Sequence, residues 1–181
     1  TSAKRMSLRD LYNASPLSCI TMILIGGVYS LLFGMSAVYG SEKGLSVKEI
    51  SILIGAIYIA GVVSQYPVGF ISDRTDRRKL IIALALIGFL GAIVGITSNS
   101  NFLGLLLTFF VVGAVANPLY SVVIAYTNDY LEVSDMASAA GGMVFMSGVG
   151  GVFLPIMVGQ LMNFYGPDML IVVLAVTFFI I

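Results

Sequence analysis

The chain has 181 residues, of which 59% are apolar and 10% are charged, and nine cationic side chains balance nine carboxylates. Soluble domains average about 45–50% apolar and about 25% charged residues, so this composition excludes an ordinary water-soluble domain and indicates a protein surrounded by membrane lipid. The zero net charge gives no electrostatic basis for binding nucleic acid. Because histidine is absent and the one cysteine, Cys19, lies in an apolar run, we expect neither a bound metal nor a cofactor.

Five apolar runs are long enough to cross a membrane as helices, which takes about 20 residues. In chain order they are 16–39, 46–71, 80–97, 102–125 and 136–161. A sixth run, 169–181, would rise only about 20 Å as a helix, so we expect it to be a truncated span of a longer polypeptide. The pattern predicts an all-α polytopic membrane bundle of six transmembrane spans, with a loop end at 1–15 and a transmembrane domain at 16–181.

Positive charge is concentrated on one side of this predicted bundle. With alternating spans, the segment before the first span and the loops at 72–79 and 126–135 share a side. They carry seven of the nine cations, namely Lys4, Arg5, Arg9, Arg74, Arg77, Arg78 and Lys79, whereas the other side carries Lys43 and Lys48. Since lysine and arginine accumulate in short cytoplasmic loops, we expect this side and both ends of the segment to be cytoplasmic.

The connection between the second and third spans carries the most specific pattern. It reads Gly69-Phe-Ile-Ser-Asp73-Arg74-Thr-Asp76-Arg77-Arg78-Lys79-Leu80 and closely resembles the signature of the major facilitator superfamily, Gly-x-x-x-Asp-Arg-x-Gly-Arg-Arg/Lys. Asp76 stands where the signature has its second glycine, although aspartate also tolerates turn conformations. A plain positively charged loop would explain the cations, but it would not explain Gly69 and Asp73 at these spacings.

This resemblance implies one six-span half of a twelve-span secondary transporter. The segment Leu8-Arg9-Asp10-Leu11-Tyr12 before Pro16 is similar to a central cytoplasmic loop entering the C-terminal half, and the motifs at 118–120 and 125–129 resemble a YcaD-like branch of bacterial transporters. The six spans would form two inverted three-helix repeats, packed against an N-terminal six-span half in the bacterial cytoplasmic membrane. The protein would move a small-molecule substrate by alternating access and would not be an enzyme. A non-transporting receptor or scaffold with the same fold is the alternative.

The same resemblance implies a gating role for the loop. The gating residues would be Gly69, Asp73, Arg74, Arg77 and Arg78 of the loop, together with Asp129 at the end of the fourth span. We expect the Asp73 carboxylate beside the start of the fifth span, where free backbone amides would stabilise it, and an ion pair between Arg77 and Asp129. These contacts would hold the cytoplasmic side shut.

Polar residues within three of the spans are candidates for the substrate cavity. They are Tyr29 and Ser36 in the first span, Tyr58 and Gln65 in the second, and Asn117, Tyr120 and Ser121 in the fourth. A polar side chain in a bilayer must find a partner, so these residues either line a cavity or make interhelical hydrogen bonds.

The fifth span contains small or helix-breaking residues spaced four apart, which places them on one helix face. They are Ser147, Gly151, Pro155 and Gly159. Small residues at this spacing allow helices to approach closely in lipid, so they predict a packing surface. The resemblance adds a gating role as the alternative.

Overall fold

The computed structural model describes residues 6–98 and 101–181. The helices in these ranges are α1 (Leu8–Ala14), α2 (Pro16–Tyr29), a π-helical segment (Ser30–Met35), α3 (Ser36–Glu42), α4 (Val47–Ser72), α5 (Arg77–Ser98), α6 (Phe102–Asn128), α7 (Val133–Tyr165) and α8 (Met169–Ile180). The stretch Pro16–Glu42 and each of the helices α4 to α7 are long and apolar enough to cross a membrane, and α8 is a shorter apolar helix of 12 residues. The protein is therefore the all-α membrane bundle that its sequence predicts.

The helices extend beyond the apolar runs, because their polar ends continue the backbone hydrogen bonding toward water. The α5 helix begins three residues before the predicted run, and α7 extends past both ends of its run. A capping box predicts the start of α4: the Glu49 amide donates to the Ser46 hydroxyl at 3.3 Å, and the Ser46 amide donates to the Glu49 carboxylate at 2.8 Å. The expected loop end at 1–15 contains α1, whose Leu11 is buried.

The first span is not the single regular helix that its sequence predicts. Its middle, Ser30–Met35, is π-helical, and α3 continues from there. Ser36 follows this segment, is 1% exposed, and donates its hydroxyl hydrogen bond to the carbonyl oxygen of Leu32 at 2.5 Å. A π-helical turn carries one extra residue and occurs frequently at functional sites.

The helices pair in a pattern with two-fold character. The α2 helix packs along α7, α4 packs along α6, and α5 packs against both α6 and α8. A two-fold operation would exchange the first span with the fourth, the second with the fifth and the third with the sixth. It would therefore convert the pair of the first and fifth spans (α2–α7) into the pair of the fourth and second spans (α6–α4). The same exchange leaves the α5–α8 pair unchanged, whereas the α5–α6 pair has only a weak counterpart between α8 and α2. Two three-helix repeats of inverted topology produce this arrangement.

Backbone-to-backbone contact joins α2 to α7. A Cβ atom on Gly150 would overlap the carbonyl oxygen of Ile23, and one on Gly26 would overlap the carbonyl oxygen of Ser147. A Cβ atom on Gly151 would lie 2.9 Å from the hydroxyl oxygen of Ser30. Since any side chain here would force the helices apart, glycine is required at the crossing.

Only part of the predicted packing surface on α7 lies in this crossing. Ser147 and Gly151 contact α2. Pro155 and Gly159 lie further along α7, beside the π-helical segment, and Gly159 is next to Met35 of that segment. Gly150 makes the tightest contact although the four-residue spacing does not include it. It lies three residues after Ser147, which is the other spacing that places residues on one helix face.

We predict that Gly150→Ala lowers the stability of the bundle by about 1–3 kcal/mol, because the added methyl group overlaps a backbone atom that cannot rotate away. Gly148→Ala on the same helix is the control, since no atom lies within 4 Å of the new methyl group. Alanine should be neutral there or stabilise the helix by up to about 1 kcal/mol. Thermal unfolding of the protein in detergent measures both, and equal midpoints would contradict the close crossing.

Candidate functional site

Four rings from three spans form an aromatic cluster, defined here as Tyr29, Phe33, Tyr58 and Tyr120. Tyr29 stacks on Tyr120 with ring centroids 5.6 Å apart and meets Phe33 edge-on at 5.7 Å. Phe33 lies against Tyr58 at 4.9 Å. Three of the predicted cavity residues therefore lie together, and Phe33 of the π-helical segment connects them. The sequence search for polar residues missed Phe33, although its spacing of four from Tyr29 is a signal for one helix face.

Two other predicted cavity residues satisfy their hydrogen bonds within their own helices. The Asn117 side-chain amide donates to the carbonyl oxygen of Gly113 at 3.2 Å, and its side chain fills the space beside Gly61 of α4. The Tyr29 hydroxyl reaches the same helix and donates to the Asn117 carbonyl oxygen at 3.4 Å. Ser36 is buried and bonded to Leu32. These contacts favour the packing interpretation for Asn117 and Ser36.

The remaining predicted cavity residues lie in a different place. Gln65 and Ser121 line a groove of about 340 Å³ between α4 and α6, and Asp73 lies at one end of it. A second groove, of about 520 Å³, lies between the π-helical segment and α7 and is bordered by Tyr29 and Phe33. The predicted cavity is thus divided between two open grooves.

Arg77 is the centre of the charged contacts at the end of the bundle where α4 stops and α5 begins, which we name the Arg77 end. Its Nη1 atom forms the expected ion pair with Asp129 and donates a hydrogen bond to the carbonyl oxygen of Ala125 at 3.4 Å. Its Nη2 atom lies 3.8 Å from the Asp73 carboxylate. Arg77 therefore links the start of α5 to the end of α6.

Among the described residues, the carboxylate of Asp73 makes no hydrogen bond or ion pair with the start of α7. It is 75% exposed, and its ion pair is with Arg77. The helix pairing explains the difference from the expected contact, because α4 packs along α6 whereas α7 packs along α2. In this conformation, the start of α7 and the end of α4 are not joined by the predicted contact.

The other residues of the loop motif make local contacts. The Asp76 carboxylate accepts a hydrogen bond from the Arg78 amide at 2.9 Å, so it caps the start of α5 where the signature has glycine. Arg74 donates to the carbonyl oxygen of Phe70 at 3.1 Å and lies 3.5 Å above the ring of that residue. Gly69 has open space where a side chain would be.

The two helices α4 and α7 are the least covered spans. In their most apolar stretches 22% and 17% of residues are buried, against 56% in the first span and 50% in α6. Their exposed side chains are large and apolar, and Val62 and Phe153 are examples.

Among the described residues, no group of three or more His, Cys, Asp or Glu side chains is placed to hold a metal ion.

Residues 17–181 match the family model described as Major Facilitator Superfamily. The chain belongs to this family. Among curated proteins, it is 24% identical to an uncharacterised MFS-type transporter, YcaD of Escherichia fergusonii, and 25% identical to YcaD of Salmonella arizonae. Each match covers 158 residues, which are 87% of this chain and 40% of the relative.

The family match confirms the resemblance first seen in the loop at Gly69–Leu80. It also confirms that this chain is an integral membrane protein of a transporter family, in agreement with its apolar helices. The chain spans about 40% of the length of the curated relatives it matches.

We predict that cysteines placed at Gln65 and Ser121 react with a membrane-impermeant maleimide, because both positions are exposed and line an open groove. A cysteine at Ser36 should remain unreactive, since that position is buried. The background is Cys19→Ala, which removes the one native thiol. The measurement is the labelled fraction in membrane vesicles of both orientations. Equal protection of Gln65→Cys and Ser36→Cys would show that lipid or protein fills the groove.

Proposed function

We propose that this chain is part of a secondary active transporter that moves a small solute across the membrane by alternating access. Membership of the family supports transport as the general function. The single observation that carries the proposal is the aromatic cluster, which brings together rings from the first, second and fourth spans. Its two first-span rings, Tyr29 and Phe33, border an open groove. The cluster contains hydroxyl groups and no formal charge, and this composition suits a neutral or amphiphilic solute.

In this proposal, residues 16–181 form the C-terminal six-span half and residues 1–15 form the end of the central cytoplasmic loop. The low burial of α4 and α7 supports an N-terminal half packed against them, because their exposed apolar side chains would then meet protein. Gly69 supports the same arrangement, since open space at a glycine allows close approach of another helix. Lipid would cover the outer faces of α5 and α8.

We place the Arg77 end in the cytoplasm of a bacterial cell, because seven of the nine cations lie in the connections on that side. The Arg77 end would then hold the cytoplasmic gate, made of Gly69, Asp73, Arg74, Arg77, Arg78 and Asp129. The exposed Asp73 carboxylate supports a moving part in this gate. In an outward-open state, it would dock on the start of α7 and gain about 0.3–1 kcal/mol from the helix dipole.

A membrane receptor or scaffold that keeps the fold is the alternative function. Substrate-dependent exchange of labelled solute across vesicles distinguishes the two, because a receptor or scaffold binds its ligand without moving it. The assay requires the full-length transporter, reconstituted in vesicles and tested against a panel of neutral and amphiphilic solutes. Absence of exchange for every solute that binds would favour the alternative.

For a transported solute, we predict that Tyr58→Ala weakens apparent affinity by about 2- to 10-fold, because it removes one ring of the cluster. Tyr58 is 57% exposed, so folding yield should change little. Tyr66→Ala, on the same helix but outside the cluster, is the control. Asn117→Ala should instead lower stability, since Asn117 packs against Gly61. Loss of yield in step with loss of affinity for Tyr58→Ala would show that the ring serves packing alone.

We predict that Asp73→Asn shifts the transporter toward its inward-open state, because a neutral amide gains less from the α7 dipole. A cysteine at Gln65 should then react faster with impermeant maleimide in inside-out vesicles, and solute turnover should slow. Asp73→Glu keeps the negative charge at this position and is the control. Unchanged labelling and normal turnover in Asp73→Asn would exclude a gating role for this carboxylate.

A further inference from the structure

A second charged cluster lies at the end of the bundle opposite the Arg77 end. The ammonium group of Lys43 lies 2.9 Å from the Asp168 carboxylate, and the Tyr39 hydroxyl donates to the same carboxylate oxygen at 3.5 Å. Tyr39 is fully buried, and its ring packs against Phe109 of α6 with centroids 5.5 Å apart. These contacts connect the end of the first span with the start of α8, so they join one three-helix repeat to the other.

This cluster and the Arg77 cluster occupy equivalent positions in the two repeats. Lys43 directly follows α3 as its C-cap, and Asp129 directly follows α6 as its C-cap. The two residues are 86 positions apart, which is also the interval between the first residues of α4 and α7. Arg77 begins α5, and Asp168 immediately precedes α8. Each ion pair therefore joins the end of the first span of one repeat to the start of the third span of the other.

The equivalence includes a second contact in each cluster. Four residues before Asp129, the carbonyl oxygen of Ala125 accepts a hydrogen bond from Arg77 at 3.4 Å. Four residues before Lys43, the hydroxyl of Tyr39 donates to Asp168. The charges are exchanged between the two clusters. At the Arg77 end, the cation Arg77 lies at the start of the third helix of a repeat. At the opposite end, the cation Lys43 lies after the first helix of a repeat, and the carboxylate of Asp168 lies at the helix start. The positions of the contacts along the helices correspond, while the polarity is reversed.

We propose that Lys43, Tyr39 and Asp168 form a clamp that is the two-fold counterpart of the Arg77–Asp129 cluster, so that the two three-helix repeats are tied to each other at both ends of the bundle. The side chains of Lys43 and Asp168 are 20% and 39% exposed, so solvent screens the pair only in part.

A double-mutant cycle on the full chain tests the clamp through thermal unfolding in detergent. Cys19 supplies the signal: it is the one cysteine, it is 1% exposed, and it lies near the end of α2 opposite Lys43. A maleimide dye that becomes fluorescent on reaction with a thiol reports when the bundle opens far enough to expose it. Because Cys19 is distant from the substitutions, local fraying at Lys43 does not produce the signal.

Lys43→Met and Asp168→Asn should each lower the unfolding midpoint by about 2–4 °C. The double variant should lose little more than either single variant, because the second substitution removes a group whose partner is already gone. Lys48→Met is the matched control, since Lys48 is exposed, lies on the same side and forms no ion pair among the described residues, and its midpoint should not change.

Tyr39→Phe provides a second measurement that does not depend on charge. It keeps the buried ring and removes the hydroxyl, so it should lower the midpoint by less than Asp168→Asn and have no further effect in combination with it. Additive losses in the cycle, or a Lys43→Met midpoint equal to that of Lys48→Met, would overturn the clamp. Neither readout involves solute, so the result stands apart from whether the protein transports.

Discussion

The contact between the backbones of α2 and α7 at Gly26 and Gly150 determines how the rest of the bundle is arranged. In lipid, helices gain little from burying apolar surface against each other, so their association depends on close packing and on polar contacts. Glycine at both positions permits the closest approach. The equivalent crossing of α4 and α6 also uses glycine, since a Cβ atom on Gly113 would lie 2.9 Å from the Ile57 carbonyl oxygen. Two such crossings, related by the exchange of repeats, define the fold.

These crossings leave α4 and α7 on the outside of the bundle and bring the first span and α6 to its centre. The aromatic cluster follows from this arrangement, because Tyr29 and Tyr120 lie on the two central helices and can stack. Phe33 of the π-helical segment lies against Tyr58 of α4 and completes the cluster. Pro155 of α7 borders the groove that lies beside this cluster.

The polar residues of the spans show why residue type alone does not separate a binding role from a packing role. Asn117 and Tyr120 are three positions apart on α6, yet Asn117 fills a notch beside Gly61 while Tyr120 stacks on Tyr29. Ser36 and Ser121 are both hydroxyl residues, but Ser36 returns its hydrogen bond to its own helix and Ser121 lines an open groove. The role of each polar residue therefore depends on which residues of the neighbouring helix lie next to it.

The sequence by itself determined the properties that depend on composition and on local spacing. Apolar length predicted the spans, and the motif at Gly69–Leu80 indicated the family. Only the tertiary structure decided which polar residues meet, where Asp73 lies, and that Gly150 and Phe33 hold central positions. It also decided that Lys43 meets Asp168 across 125 residues of chain. The reason is physical. Helix formation and insertion into lipid depend on residues within a few turns of the same helix. The contacts of a side chain in the bundle depend instead on which helix packs beside it.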